Sequence, residues 1–177
     1  RELHFLYALV CAGPGFFRLP SPKRTWRSGR LLHIDTGATL EGYISEVCRT
    51  GYLGTPGELA ERLLAGCQEM EQAVLAVLRP GLPAGELQRR GDEFLAAHPL
   101  GKYGKFIAHG IGLVHHEDPV VERGRREPLE AGMVLSLEME FRHPDVGHVK
   151  IEDMVAVTAR GAERLSPPSH GFTLSPG

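Results

Sequence analysis

The sequence predicts an α+β fold built from antiparallel β-hairpins and two helices. Two pairs of segments alternate between apolar and polar residues around a short turn, which is typical of hairpins: "RLLHIDTGA" with "GYISEVCRT", and "MVLSLEMEF" with "HVKIEDMVAVT". The stretch between the pairs has apolar residues at helical spacing. Each half of the chain therefore has one hairpin that carries acidic residues. The two halves are similar only in this coarse respect, and the sequence has no short-period repeat.

Composition and charge indicate one domain with a sizeable core. The chain has 177 residues, of which 42% are hydrophobic and 24% charged, and the net charge is −2. Because both signs of charge are interspersed, we expect neither a nucleic-acid nor a membrane partner. No apolar run approaches the roughly 20 residues of a transmembrane helix. Three scattered cysteines without a CxxC pair indicate reduced thiols and a cytoplasmic location.

The two ends of the chain differ in character. The chain begins at Arg1 and enters a predicted buried strand at 4–12, so we expect part of the protein to lie upstream. The last stretch, "SPPSHGFTLSPG", is rich in Pro, Gly and Ser, which is typical of a loose tail. We therefore expect a domain over about 1–166 and a tail over 167–177.

Two helices and two further strands are predicted between the hairpins. The first helix has a start signal in "TPGE", with Thr55 as N-cap and Glu58 completing a capping box. Its apolar residues continue until Pro80 and Gly81 end it. The remaining elements are predicted from similar signals: a helix over 84–97 and strands near 104–109 and 112–116.

The hairpins place acidic residues in pairs. Directly opposed residues of an antiparallel pair have a constant sum of positions, so a turn at 40–41 sets Asp35 opposite Glu46. The simplest turn in "HPDVG" sets Glu138 opposite Glu152. Opposed residues share one face of the sheet, with Cβ atoms about 4.5–5.5 Å apart. Each hairpin would therefore bring two carboxylates together between apolar neighbours.

Opposed like charges are destabilising, and burial raises the cost. A shared proton or a bound cation would relieve the repulsion. Four carboxylates with a histidine from "HGIGLVHHEDP" (109–119) suit two metal ions about 3.5–4 Å apart. Histidine with carboxylates is the ligand set of Mn, Fe, Co or Zn. Each residue alone is more typical of a strand edge, the surface or a solvated loop than of a site, and only their joint pattern favours a site.

The ordered motifs "IDTGA", "GYISEVCRT", "HGIGLVHHEDP", "GMVLSLE" and "VKIEDMVAVT" resemble the creatinase/methionine aminopeptidase superfamily, in its Xaa-Pro peptidase and creatinase-like branch. The resemblance runs from about residue 5 to about residue 166. It implies the pita-bread fold, a curved and mainly antiparallel sheet covered by helices, in two pseudo-related halves. It also implies a homodimer, and it indicates that the N-terminal helix and the separate N-terminal domain of relatives are absent from this sequence.

The resemblance implies a set of metal ligands. Carried over by motif, Asp35 would hold one divalent ion, His109 and Glu138 would hold a second, and Glu46 and Glu152 would bridge the two. The ions expected from the family's chemistry are Mn, Co, Zn or Fe.

The resemblance also implies catalytic roles. His116 would contact the substrate carbonyl or the tetrahedral intermediate. Glu138 would take a proton from the attacking water and pass it to the leaving nitrogen. The substrate would be a small peptide, most similar to an Xaa-Pro dipeptide, cleaved at its C–N bond. His115 falls on a variable position and is interpreted as a bystander, and Glu117 and Asp118 as structural.

Four positions depart from the family pattern. Glu46 replaces an aspartate, Ala108 a glycine, and Met139 a proline. Arg18 stands where relatives carry a histidine, and it would either bind a substrate carboxylate through forked hydrogen bonds or be a solvated loop residue. These changes leave three possibilities open beside a two-metal peptidase: one ion or none, a creatinase-like enzyme acting on a small molecule without metal, and an inactive binding module.

Overall fold

Nine strands and two helices form the part of the chain that the computed structural model describes, residues 3–13, 23, 25–167 and 171–174. Arg18 lies outside these residues. In chain order the elements are β1 Leu3–Ala12, β2 Arg30–Leu40, β3 Tyr43–Leu53, α1 Glu58–Leu75, α2 Ala84–Ala97, β4 Gly104–Gly110, β5 Glu117–Val120, β6 Val134–His143, β7 Gly147–Thr158, β8 Gly161–Arg164 and β9 Phe172–Leu174.

The strands form one sheet with the order β1-β2-β3-β7-β6-β4-β5. All pairs are antiparallel except β3 with β9, which is parallel. Strands β1 to β3 form one half of the sheet and β4, β6 and β7 the other, and the halves meet where Cys48 of β3 pairs with Glu152 of β7. Helix α1 packs on β6 and β7, and α2 on β4. The predicted α+β fold with a mainly antiparallel sheet is therefore confirmed.

Both helices form where the apolar spacing predicts them, but the first starts at a different residue and ends at Leu75, before the predicted stop at Pro80 and Gly81. Helix α1 begins at Glu58 with Gly57 as its N-cap and no side-chain cap, so the predicted cap at Thr55 is wrong. The first turn closes on the Gly57 carbonyl, which accepts the N–H groups of the residues three and four positions later. Helix α2 covers Ala84–Ala97, as predicted. Neither helix is long and apolar enough to span a membrane.

The core lies between the helices and one face of the sheet. Alternate residues of β6 point toward the helices, and their side chains are fully buried: Leu135, Leu137, Met139 and Phe141. They belong to one cluster with the apolar stripe of α1, including Leu63, Cys67 and Met70. Each such side chain contributes about 1.5–3 kcal/mol through burial. This packing holds β6 and β7 in place. It therefore also sets the positions of the side chains on the opposite face of these strands.

The opposite face of these two strands carries buried polar side chains. Ser136, Glu138 and Glu140 of β6 alternate with the apolar residues, and Lys150 and Glu152 of β7 face them. Burial of charge is costly unless the charges pair or bind an ion. The sheet therefore holds the polar groups of the candidate site on the face away from the helices.

The two hairpin registers have different outcomes. Glu138 pairs with Glu152, as predicted. Asp35 pairs with Cys48, and Glu46 with Gly37, so the predicted opposition of Asp35 and Glu46 is wrong by two positions. The turn lies at 41–42, where both residues have positive φ, 52° and 90°, as a two-residue hairpin turn requires. Because the side-chain period is two, both carboxylates stay on one face.

The chain ends also differ from their predictions. Strand β1 is an edge strand, and its first residues are exposed (Phe5 at 72%), so only its C-terminal half matches the predicted buried strand. Part of the predicted loose tail, Phe172–Leu174, pairs with β3 as β9. The segment predicted as a strand over 112–116 is a loop, and the strand β5 follows at Glu117–Val120.

Glu71 is a buried carboxyl on α1 whose titration should appear in the pH dependence of stability. Burial and the charge of Asp153 raise its pKa to about 7, although Arg164, at 2.7 Å, opposes this. A raised folded-state pKa gives stability that is present below about pH 4.3 and lost as the pH rises to about 7. We expect Glu71→Gln to remove up to about 3 kcal/mol of this pH dependence.

Urea unfolding at pH 4 and pH 8 measures this effect. The matched control is Glu69→Gln, an exposed position of the same helix, which should keep the parent's pH dependence. An unchanged difference between the two pH values in Glu71→Gln would show that Glu71 ionises normally.

Candidate active site

Five predicted ligands converge on the polar face of the sheet. Asp35 comes from β2, Glu46 from β3, His109 from β4, Glu138 from β6 and Glu152 from β7. Each is at most 9% exposed. His109 Nε2 lies 3.2 Å from Glu46 Oε1 and 3.6 Å from Glu138 Oε1. The structure therefore brings together side chains from five strands, which single acidic residues on strand edges would not do.

Three of these residues fit a divalent cation. One ligand atom each of Glu46, His109 and Glu152 lies within 4.8 Å of the other two. Opposite ligands at bond lengths of about 2.2 Å lie about 4.4 Å apart, so one ion can reach atoms grouped this closely. Glu46 Oε1, His109 Nε2 and Glu152 Oε2 are buried and make no hydrogen bond among the described residues, although the first two face each other at 3.2 Å and Glu152 Oε2 makes an ion pair with Lys150. Buried polar atoms of this kind indicate a missing partner.

The His109 ring is held so that Nε2 faces the carboxylates. Its Nδ1–H donates a hydrogen bond to the Gly110 carbonyl oxygen at 3.0 Å. This orientation leaves Nε2 facing the carboxylates, where it can bind a ligand. Burial lowers the pKa of His109, but the neighbouring carboxylates of Glu138 and Glu46 outweigh it and raise the pKa to about 10. A metal would take the place of the Nε2 proton.

Lys150 lies in the middle of the site, and the sequence analysis missed it. Its Nζ lies 2.7 Å from Asp35 Oδ2, 2.6 Å from Glu138 Oε2 and 3.0 Å from Glu152 Oε2. The side chain is buried. The signal was available, because Lys150 precedes Glu152 by two positions and so shares its face of β7. The cluster thus contains its own cation.

The two opposed glutamates differ in acidity. Burial raises the pKa of both. For Glu138 the neighbouring His109 ring and the charge of Lys150 outweigh burial, and its pKa is lowered to about 2. For Glu152 burial and the charges of Glu138 and Glu46 prevail over Lys150, and its pKa is raised to about 8. Glu138 is therefore the ionised partner, and Glu152 is the one from which a cation would displace a proton.

The loop between β4 and β5 covers the site with two histidines. The Ile44 N–H donates to the Gly112 carbonyl at 2.7 Å and ties the loop to β3. His116 stacks on His109, with ring centroids 3.8 Å apart and planes at 9°. Burial and the charge of His109 lower the pKa of His116, which favours the neutral ring.

His115 does not behave as the predicted bystander. Its Nε2 contacts Glu46 Oε2 directly. Tyr7 of β1 also reaches Glu46, donating from its hydroxyl at 3.4 Å, and its ring lies 5.4 Å from that of His115. Burial and the charges of Asp35 and Glu46 raise the pKa of Tyr7. Both contacts cross long sequence separations, so no local pattern could have revealed them.

The predicted structural role of Glu117 agrees with its contacts. Its carboxylate accepts the Val114 N–H at 3.1 Å within the loop. A cavity of about 620 Å³ opens beside this loop and is lined by His109, His116 and Glu117 among others. The cavity gives a small ligand access to the histidine side of the site.

Comparison with known proteins shows which family this chain resembles. Residues 9–159 match the model of metallopeptidase family M24. The Xaa-Pro dipeptidase of Pyrococcus horikoshii is 33% identical over 147 residues, which cover 82% of this chain and 42% of that protein.

Solved structures agree in fold. The dipeptidase PepE from Mycobacterium ulcerans superposes with a TM-score of 0.86 at 30% identity, covering 97% of this chain and 47% of that one. The prolidase from Thermococcus sibiricus gives 0.86 at 28% identity, covering 94% and 47%. These likenesses confirm the pita-bread fold, and the chain spans about half the length of each relative. Because the family match covers most of its residues, this chain belongs to metallopeptidase family M24.

Proposed function

We propose that this chain is the catalytic part of a metal-dependent hydrolase that cleaves the C–N bond of Xaa-Pro dipeptides or short Xaa-Pro peptides. The observation that carries the proposal is the group of buried ligand atoms on Glu46, His109 and Glu152, within 4.8 Å of one another. The relatives named Xaa-Pro dipeptidase and prolidase support the substrate class. Manganese or cobalt suits this mixed nitrogen and oxygen ligand set.

The proposed ligands are Glu46, His109, Glu138 and Glu152, with Asp35 beside them. A divalent ion held there would lower the pKa of a bound water and polarise the scissile carbonyl. Glu138, ionised and next to His109 at 3.6 Å, would accept the proton of the attacking water and deliver it to the leaving nitrogen.

The histidines of the loop would act on the substrate side. A neutral His116 stacked on His109 can donate a hydrogen bond to the carbonyl oxygen as negative charge develops there. His115 and Tyr7 would fix the longer arm of Glu46 from the opposite side. The role of Arg18 in binding a substrate carboxylate stays a prediction.

We further propose a cytoplasmic homodimer. Three buried cysteines, Cys11, Cys48 and Cys67, form no disulfide among the described residues, which supports a reducing compartment. The homodimer is proposed from the family resemblance, and gel filtration with light scattering would measure it.

Metal removal tests the proposed function. We expect the 177-residue chain, loaded with Mn²⁺ or Co²⁺, to hydrolyse Ala-Pro and Leu-Pro faster than Ala-Leu. Dialysis against dipicolinate should abolish hydrolysis, and added Mn²⁺ or Co²⁺ should restore it. A folded, metal-loaded chain that cleaves no Xaa-Pro substrate would overturn the proposal.

One observation favours a second candidate, a creatinase-like enzyme that acts on a small molecule without metal. The Lys150 ammonium already neutralises part of the charge of Asp35, Glu138 and Glu152. Turnover of a small amide or guanidino compound that survives exhaustive chelation would support this candidate. A chain with neither turnover nor bound metal would point to a binding module.

A further inference from the structure

We propose that Lys150 takes the place of one of the two metal ions, so that the chain binds a single divalent ion, on the side of Glu46, His109 and Glu152. The inference rests on the proposed function only in assuming that this cluster binds a divalent ion. It concerns how many ions bind and where, which the family resemblance does not determine for this chain.

The position of the ammonium supports the first part. Lys150 Nζ contacts one oxygen each of Asp35, Glu138 and Glu152, at 2.6 to 3.0 Å. An ammonium has three N–H donors, and three carboxylates surround this one. Asp35 was predicted to hold one ion of the pair, and its Oδ2 is within 2.7 Å of Nζ. A divalent ion bound to the same oxygens would lie against a like charge at close range.

The lysine is also fixed at its base. The Thr50 hydroxyl donates to the Lys150 carbonyl at 2.7 Å and accepts the Lys150 N–H at 3.0 Å. The Cys48 thiol lies 3.7 Å from the same carbonyl. Lys150 is 2% exposed, so its charge lies among the three carboxylates and away from solvent. An ion arriving from solution therefore meets a resident cation on the Asp35 side.

The other side of the cluster lacks such a cation. Glu46 Oε1 and His109 Nε2 are buried and face each other at 3.2 Å, and neither makes a hydrogen bond within the part of the chain that the structure describes. Neither residue contacts Lys150 among the ion pairs of the described residues. Glu152 is shared, since one oxygen reaches Lys150 and the other accepts the Ser136 hydroxyl at 3.1 Å. A single ion at Glu46, His109 and Glu152 would thus bind these three side chains while Lys150 keeps its contacts with Asp35 and Glu138.

The stoichiometry of Co²⁺ binding tests the inference. Co²⁺ is titrated into the chelator-stripped chain, followed by visible absorption, and bound metal is counted by mass spectrometry after gel filtration. We expect one ion per parent chain and two per Lys150→Met chain. The control Lys105→Met, an exposed lysine of β4, should keep one. Two tightly bound ions in the parent would overturn the inference.

A second variant keeps the test independent of whether Lys150→Met folds. Asp35→Asn leaves Lys150 its contacts with Glu138 and Glu152, and we expect it to bind one Co²⁺ with affinity near that of the parent. If the Asp35→Asn variant no longer binds Co²⁺, the metal is held on the Asp35 side, and the inference is overturned.

The outcomes separate this inference from the proposed function. One ion without Xaa-Pro hydrolysis would support the role of Lys150 and count against the proposed peptidase. Two ions with hydrolysis would do the reverse. A parent chain that binds no Co²⁺ would overturn both.

Discussion

Glu138→Gln is expected to lower kcat for Xaa-Pro hydrolysis by about 10²- to 10⁴-fold, the usual contribution of a general base. The amide has the same shape as the carboxylate but cannot accept a proton from the attacking water. Glu138 is suited to this role because His109 and Lys150 outweigh burial and keep it ionised, with a pKa of about 2. The loss should appear mainly in kcat, since the substitution leaves His116 and the loop in place.

Steady-state kinetics at saturating Mn²⁺ measures the effect, with bound metal counted in the same samples. The matched control is Glu140→Gln on the same face of β6. Its carboxylate contacts His148 at 2.7 Å and Arg142 at 3.0 Å, and no ion pair joins it to His109. We expect this control to lose stability but to retain most of its kcat. A folded, metal-loaded Glu138→Gln chain with the parent's kcat would exclude Glu138 as the base.

Phe141→Ala should have the largest effect on stability, about 3 to 5 kcal/mol. The Phe141 ring is fully buried and fills the space left by two glycines. A Cβ built on Gly66 of α1 would lie 3.0 Å from the ring, and one on Gly104 of β4 would lie 2.8 Å from it. The ring of His98 lies 5.3 Å away. The phenyl ring thus joins both helical regions to β6.

Equilibrium urea unfolding measures this loss, which is a large share of the about 5–15 kcal/mol that stabilises a typical domain. Phe141→Leu is the conservative control and should cost less than half as much, because it refills most of the cavity. A loss below about 1 kcal/mol in Phe141→Ala would mean that the helices collapse onto β6 without the ring.

The pairing of the site carboxylates could be predicted where the turn of the hairpin alone determines the register. "HPDVG" spans its turn symmetrically, and Glu138 does oppose Glu152. The first hairpin required a choice between a turn at 40–41 and one at 41–42. The outcome depended on Glu41 adopting a positive φ, which non-glycine residues do rarely, next to Gly42. Register within a hairpin is therefore predictable only as well as the turn conformation.

Contacts between distant strands lay beyond such reasoning. Alternation alone places Lys150 on the same face as Glu152. Its contact with Asp35 also needs the order β2-β3-β7, which no local pattern contains. Likewise, His115 reaches Glu46 because a loop carries it across the sheet, and Thr55 lost its capping role because the helix closes two residues later.

The junction of the two hairpins has a mechanical consequence. Within the described strands, the ladder between β3 and β7 consists of a single residue pair, Cys48 with Glu152. Glu46 belongs to one side of this seam, and His109 and Glu152 to the other. An ion bound by these three residues would link the two halves of the sheet where a single residue pair joins them. Amide hydrogens along β3 and β7 would then exchange more slowly with solvent.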